Sequence, residues 1–168
     1  MKSYQIEGPW RGELAIVPRP RGGDWLEDEI RAMKDGHFDV LVSLLTRDEL
    51  DEFDLASEAD LSHMHGLRFC EFPIPDLGIP QSLTAARELI DKLRSALEAG
   101  EKIGIHCRQG IGRSGLIAAA LLVASGADPD TAFRRVSAAR GLAVPETVEQ
   151  KQWVRDLSRE FARSLVKG

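Results

Sequence analysis

Cysteine is scarce in this chain. Only Cys70 and Cys107 occur among 168 residues, too few for a disulfide scaffold and wrongly spaced for a zinc knuckle. A reducing compartment, most simply the cytoplasm, is expected. Positive charge is also short: 22 Lys and Arg stand against 27 Asp and Glu, a net charge of −5. That balance disfavours a nucleic-acid-binding surface and weighs against acidic membrane lipids as substrates. No apolar run approaches the length of a membrane span. Met1 to Glu7 lacks the apolar core of a signal peptide. Neither a membrane nor a nucleic acid is therefore expected as a partner. Repeats, linkers and low-complexity segments are missing too. With 43% hydrophobic and 29% charged residues, the composition is that of a soluble globular protein. The length suits one domain over residues 1–168, expected to be a monomer.

Hydrophobic patterning orders the chain. Gly12 to Val17 suggests a short strand, broken by the basic loop Pro18 to Gly23. Asp24 is a plausible N-cap for a helix over Trp25 to Lys34, whose Leu26, Ile30 and Met33 share one face. Asp39 to Leu45 is almost continuously apolar, as a central strand covered on both faces should be. Thr46 can cap an acidic helix over Arg47 to Leu55, and a second short helix is expected over Ser57 to His65. Leu67 to Ile74 forms the next strand, with Pro73 pushing its last residues out of the ladder. Ser82 to Ala99 is amphipathic through Leu83, Ala86, Leu89, Ile90, Leu93 and Leu97. Lys102 to His106 is a further strand. Gly115 to Ser125 is apolar nearly all round and should be a buried central helix. Asp128 can cap Pro129 to Ala139, with Pro129 at the favoured first position. Thr147 to Val166 is a last, more polar helix. Strands alternating with helices imply an α/β domain with a central, mostly parallel sheet. Its active site should lie beyond the carboxyl ends of the strands.

The densest chemistry is in residues 104–116, Gly-Ile-His-Cys-Arg-Gln-Gly-Ile-Gly-Arg-Ser-Gly-Leu. A strand ends at His106-Cys107, a glycine-bearing loop follows, and a helix begins near Arg113-Ser114. Gly110 and Gly112 allow a sharp turn with backbone N–H groups pointing inward. The helix adds its positive end, and Arg113 adds a planar fork matching two phosphate oxygens. Arg108, Gln109, Gly110, Ile111, Gly112 and Arg113 thus form a cradle for a dianion above the Cys107 sulfur. Positive surroundings favour the thiolate, the nucleophilic form.

His106-Cys107, five residues, then Arg113-Ser114, with glycines at 110 and 112, resembles the signature loop of the cysteine-dependent protein tyrosine phosphatase superfamily. The resemblance covers Gly12 to Trp153 in organisation, and its specificity sits in this loop. It implies the compact phosphatase fold, a phosphocysteine intermediate on Cys107, transition-state stabilisation by Arg113, and neither metal nor other cofactor. Ser114 is implied to hydrogen-bond the Cys107 sulfur, and His106 to orient the loop. Asp76, in Ile74-Pro75-Asp76-Leu77-Gly78-Ile79-Pro80, lies where small dual-specificity phosphatases carry their general acid. Ile-Pro-Asp before a proline resembles the branch of the kinase-associated phosphatases. Val144 to Gln150 is similar to the family's glutamine loop, with Gln150 matching its second Gln and Glu146 replacing its first. The resemblance implies that Gln150 helps position water, with Glu146 a departure from the pattern at the first position; a capping segment for the last helix is the equal alternative for this stretch.

Other residues carry weaker signals. Arg19, Arg21 and Asp24 are more simply a solvated loop than substrate contacts. Cys70 is more simply a buried strand cysteine than a disulfide partner for Cys107. The function best supported is hydrolysis of phosphate monoesters on a protein, by a tyrosine or dual-specificity phosphatase. The alternatives are a phosphoinositide or other small phosphate ester as substrate, a rhodanese-like sulfurtransferase, or a phosphate-binding module without turnover. Phosphoinositide phosphatases of this superfamily tend to place lysines in the loop; here only Arg108 joins Arg113. The Asp76 loop and Arg113-Ser114 speak against sulfur transfer.

Overall fold

A computed structural model describes residues 1–167. Five strands form one sheet: β1 (Tyr4–Ile6), β2 (Glu13–Ile16), β3 (Val40–Ser43), β4 (Arg68–Glu71) and β5 (Lys102–His106). Their order across the sheet is β1-β2-β5-β3-β4. β1 runs antiparallel to β2, and the other neighbours are parallel. The helices are α1 (Leu26–Asp35), α2 (Arg47–Glu52), α3 (Glu58–Met64), α4 (Leu83–Glu98), α5 (Gly112–Ala124), α6 (Pro129–Arg140) and α7 (Val148–Lys167). A short 3-10 turn, Gly23–Trp25, precedes α1.

Strand side chains alternate between two cores, as the period of two requires. Leu14, Ile16, Val40 and Val42 join one core with residues of α4 to α7. Ala15, Val17 and Leu41 join the other, with α1 and the flanking Leu50, Phe53 and Leu61. The near-continuous apolar run at β3 is thereby explained: both faces are covered. α5 is the central helix of the first core, and every residue from Gly112 to Val123 is buried.

Several local expectations hold. Thr46 caps α2 in a reciprocal capping box with Glu49, and Asp128 caps α6; Ser82, expected as the first residue of α4, lies just outside it as its cap. Gly141 ends α6 in the left-handed conformation, with φ of 77°. Pro73 lies beyond the end of β4. Asp24 is not a cap: it sits inside the 3-10 turn, and Trp25 precedes α1 without a side-chain hydrogen bond. The chain enters α1 by tightening one turn, which leaves Asp24 within helical backbone. α2 stops at Glu52 rather than Leu55, where Asp54 adopts a left-handed φ of 53°. α5 begins at Gly112, ahead of the expected Gly115, because the cradle loop runs straight into it.

Candidate active site

The carboxyl ends of all four parallel strands meet at one edge of the sheet. β5 delivers Cys107, β4 leads to Asp76, β3 leads through Thr46 to Glu49, and β2 leads to Arg19. A cleft of about 250 Å³ opens there, lined by Cys107, Arg113, Asp76, Arg108 and Glu146, among others. Cys107 is buried at its base.

The loop conformation follows from its glycines and its outer contacts. Gly110 has φ of 69°, a region open to glycine at no steric cost. Its N–H donates to the Cys107 Sγ at 3.3 Å. A side chain on Gly112 would meet the Gln150 amide, 2.9 Å from Nε2, so Gln150 would have to shift to admit one. Three successive carbonyls point away from the sulfur. The Arg108 oxygen accepts from Arg19 Nη1 at 3.4 Å, the Gln109 oxygen from Arg140 Nη2 at 3.3 Å, and the Gly110 oxygen from Arg140 Nε at 2.6 Å. In a trans peptide the N–H opposes the C=O, so the amides of Gln109, Gly110 and Ile111 turn toward the cleft. Three of the residues named for the anion cradle thus present their amides on one side of the loop.

Arg113 is almost wholly buried. Nη1 donates to Glu49 Oε1 at 2.6 Å and to the Ile74 carbonyl at 2.8 Å; Nη2 donates to Glu49 Oε2 at 2.8 Å and to Asp76 Oδ1 at 3.1 Å. Burial opposes the charge on Arg113, but the bond to Glu49 and the neighbouring Cys107 and Asp76 outweigh it and raise its pKa. Burial likewise opposes ionisation of Glu49. The hydrogen bonds from Arg113 and Thr46 prevail and lower its carboxyl to about 2. Nε of Arg113 has no hydrogen-bond partner among the described residues. The Nε edge is left for an incoming oxyanion, with the Nη2 hydrogen now held by Asp76 as its second donor.

Asp76 is half exposed and pairs with Arg113, and more loosely with Arg108 at 3.7 Å. The following turn is fixed from two sides: Gly78 N–H donates to the Pro75 carbonyl at 2.8 Å, and the Gly78 carbonyl accepts from Gln150 at 3.1 Å. Arg108 pairs with Glu52 at 2.7 Å and shares the Phe53 ring with Arg19. Burial and then Arg108 lower the pKa of Arg19.

Three expected roles differ in the structure. The Ser114 hydroxyl is buried and has no hydrogen-bond partner, so no bond to the Cys107 sulfur forms. Ser114 is the third residue of α5 rather than its start, and the Gly110 N–H meets the sulfur instead. His106 does not hold the loop. Its Nε2 faces Glu58 Oε1 of α3 at 2.5 Å, both residues being fully buried, because a strand residue adjacent to Cys107 points to the opposite face. Gln150 is buried and does not line the cleft. Its Oε1 accepts from the Glu146 and Thr147 N–H groups at 3.0 and 3.1 Å, clipping the start of α7 to the Asp76 loop. Glu146 does reach the cleft.

Among the weaker candidates, Arg19 reaches the loop, whereas Arg21 pairs with Glu29 and stacks on Trp25. Cys70 and Cys107 are both free. Cys70 pairs with Val42 in the ladder, and Val42 with Ile105. Two strand spacings and a two-residue offset put the cysteine Cα atoms roughly 10 Å apart or more, beyond disulfide reach without backbone movement. Glu49, Glu58 and Arg140 escaped the sequence reading. Only Glu49 had a local signal, the Thr46-x-x-Glu49 capping pattern, and that signal accounts for the helix start without pointing to Arg113.

Known proteins are similar to this chain in sequence and in fold. A family model described as "Polymorphic toxin system, DSP-PTPase phosphatase" matches residues 17–127. Cyclin-dependent kinase inhibitor 3 of Sus scrofa is 32% identical over 129 residues, covering 76% of this chain and 60% of that protein. The chain therefore spans about 60% of the length of that relative. Putative tyrosine phosphatase 197R of Invertebrate iridescent virus 6 is 38% identical over 87 residues, covering 49% and 31%. Among solved structures, kinase associated phosphatase carrying serine for its catalytic cysteine superposes with a TM-score of 0.89 at 22% identity, over 96% of each chain. Tk-PTP in its active form gives 0.75 at 28% identity, over 94% and 96%.

Proposed function

The chain belongs to the DSP-PTPase phosphatase family, and from that premise we propose that it hydrolyses phosphate monoesters on proteins as a tyrosine or dual-specificity phosphatase. The observation that carries this reading is the convergence of Cys107, Arg113 and Asp76 on one cleft, with the loop amides turned toward it. The Cys107 thiolate attacks phosphorus. As the S–P bond forms, the ester P–O bond breaks, and the Asp76 carboxyl gives its proton to the leaving oxygen. Arg113 and the amides of the loop hold the phosphoryl oxygens as charge develops on them. In the second step the Asp76 carboxylate takes a proton from water, the water oxygen attacks phosphorus, and the thiolate is released with phosphate.

Before substrate arrives, Asp76 shares the Nη2 side of Arg113. A phosphoryl group entering the cleft would take that donor and release Asp76 toward the leaving oxygen. Glu146, at the cleft wall, would then stand near the attacking water, while Gln150 would act by holding the two loops together. The names of the relatives, cyclin-dependent kinase inhibitor 3 and kinase associated phosphatase, support phosphoproteins as the substrate class. We propose further that it works as a monomer in a reducing compartment, which suits two free cysteines. Sedimentation of the purified chain and cell fractionation would test these two points.

The decisive experiment compares phosphate release from a phosphotyrosine peptide, a phosphothreonine peptide and a phosphoinositide, with chelator present, for wild type and Cys107→Ser. Release from the peptides, lost in Cys107→Ser, is expected. Release from the phosphoinositide alone would move the substrate to lipids. No release from any of the three would defeat the reading.

A further inference from the structure

The loop that meets the phosphoryl group is held from behind. Arg140, at the last turn of α6, gives Nε to the Gly110 carbonyl at 2.6 Å and Nη2 to the Gln109 carbonyl at 3.3 Å. The other face of its guanidinium lies 4.2 Å from the ring of Tyr4 on β1. Tyr4 is the only tyrosine in the chain and packs against the main core. No carboxylate pairs with Arg140 among the described residues, so its charge is spent on the loop. The cation also sits at the C-terminal end of α6, where the helix dipole favours it.

Such a restraint answers a problem that the loop's own sequence creates. Several N–H dipoles directed at one point repel one another until an anion arrives. Gly110, with its left-handed φ, has no side chain to resist rotation of the adjoining peptides. A peptide turned over there would put a carbonyl oxygen into the cleft and repel phosphate. Two fixed donors on successive outward carbonyls oppose that rotation, and a planar fork holds both at once where an ammonium would hold one.

We propose that Arg140 is a positioning residue for the phosphate-binding loop, and that Tyr4 holds Arg140 in place. The antiparallel strand β1 thereby becomes part of the catalytic apparatus without touching substrate. This inference rests on residues 107–113 being the phosphate cradle.

The test is the inhibition constant of inorganic phosphate, measured beside kcat/KM and Tm. Arg140→Ala should weaken phosphate inhibition and lower kcat/KM together, each roughly ten-fold or more. Arg140→Lys should recover only part of either. Arg87→Ala is the control. Arg87 stacks on Phe161 and bonds Ser164 between α4 and α7, so it removes a comparable arginine far from the loop and should leave phosphate inhibition unchanged. Should Arg140→Ala not fold, Tyr4→Leu keeps an apolar residue on β1, removes the stacking face, and should weaken phosphate several-fold. Arg140→Ala or Tyr4→Leu with wild-type phosphate inhibition, or an Arg87→Ala loss of equal size, would overturn the inference. Failure of phosphate to inhibit the wild-type enzyme would instead refute the cradle itself.

Discussion

Replacing Glu49 by Gln should cost this protein more stability than any conservative surface change, and the cost should fade in acid. Glu49 receives both terminal nitrogens of the buried Arg113 at 2.6 and 2.8 Å, and the Thr46 N–H and hydroxyl at 3.1 Å each. Glutamine retains one acceptor but sets an NH₂ against an Arg113 donor, and the buried guanidinium loses its compensating charge. The fall of the Glu49 carboxyl from 4.5 to about 2 corresponds to on the order of 2 to 3 kcal/mol, allowing for solvent at the cleft. Removing one member of a buried ion pair costs about 3 to 5 kcal/mol in other proteins, which brackets the figure from above. For a chain of this size, Tm should drop by roughly 5 to 10 °C at neutral pH. The sign of the pH dependence is fixed because the folded-state pKa lies below the unfolded one. The Glu49 contribution is fully present above pH 4.5 and is lost as pH falls toward 2. Melts of both proteins at pH 7, 5 and 3 should show a gap that is constant from 7 to 5 and narrower at 3. A gap independent of pH, or none at pH 7, would refute the account of Glu49 as the partner of Arg113.

Two further perturbations separate chemistry from scaffolding. Asp76→Asn should lower kcat about 10²-fold or more for an alkyl phosphate such as a phosphothreonine peptide, whose leaving oxygen needs a proton, and much less for an aryl ester with an acidic leaving group; equal losses on both, measured by steady-state release, would remove Asp76 as the general acid. Cys70→Ser should leave the rate of peroxide inactivation of Cys107 unchanged, because the two cysteines are separated by an intervening strand; an altered rate, or a disulfide found by mass spectrometry, would contradict that separation.

What could be seen in the sequence was whatever repeats or is local. The helical faces, the caps at Thr46 and Asp128, and the doubly covered β3 all rest on spacings of a few residues. The Cys107 loop was legible because its cysteine, glycines and arginine lie within seven consecutive positions. Interactions across the chain were not. Glu49 is 64 residues from Arg113, and Glu58 is 48 from His106; each looks in sequence like an ordinary acid in the first turn of a short helix. β1 escaped because three residues carry too little alternation to signal a strand, and its partner in the sheet is what makes it one. Gln150 was legible in type but not in task, since its target, the Gly78 carbonyl, lies 72 residues away.

The placement of β5 bears on how the molecule assembles. In sheet order it stands between β2 and β3, yet it is the last strand of the chain. Until residues 102–106 dock, β1–β2 and β3–β4 are two separate ribbons with no ladder between them. Joining them requires closing long stretches of chain in either direction, an entropic cost that makes such sheets slow to form. The strand that completes the sheet is also the one that ends just before Cys107. A chain emerging from the ribosome therefore has no sheet to support the thiol loop until the same strand has sewn its two halves together, and the loop around Cys107 takes shape with closure of the sheet rather than ahead of it.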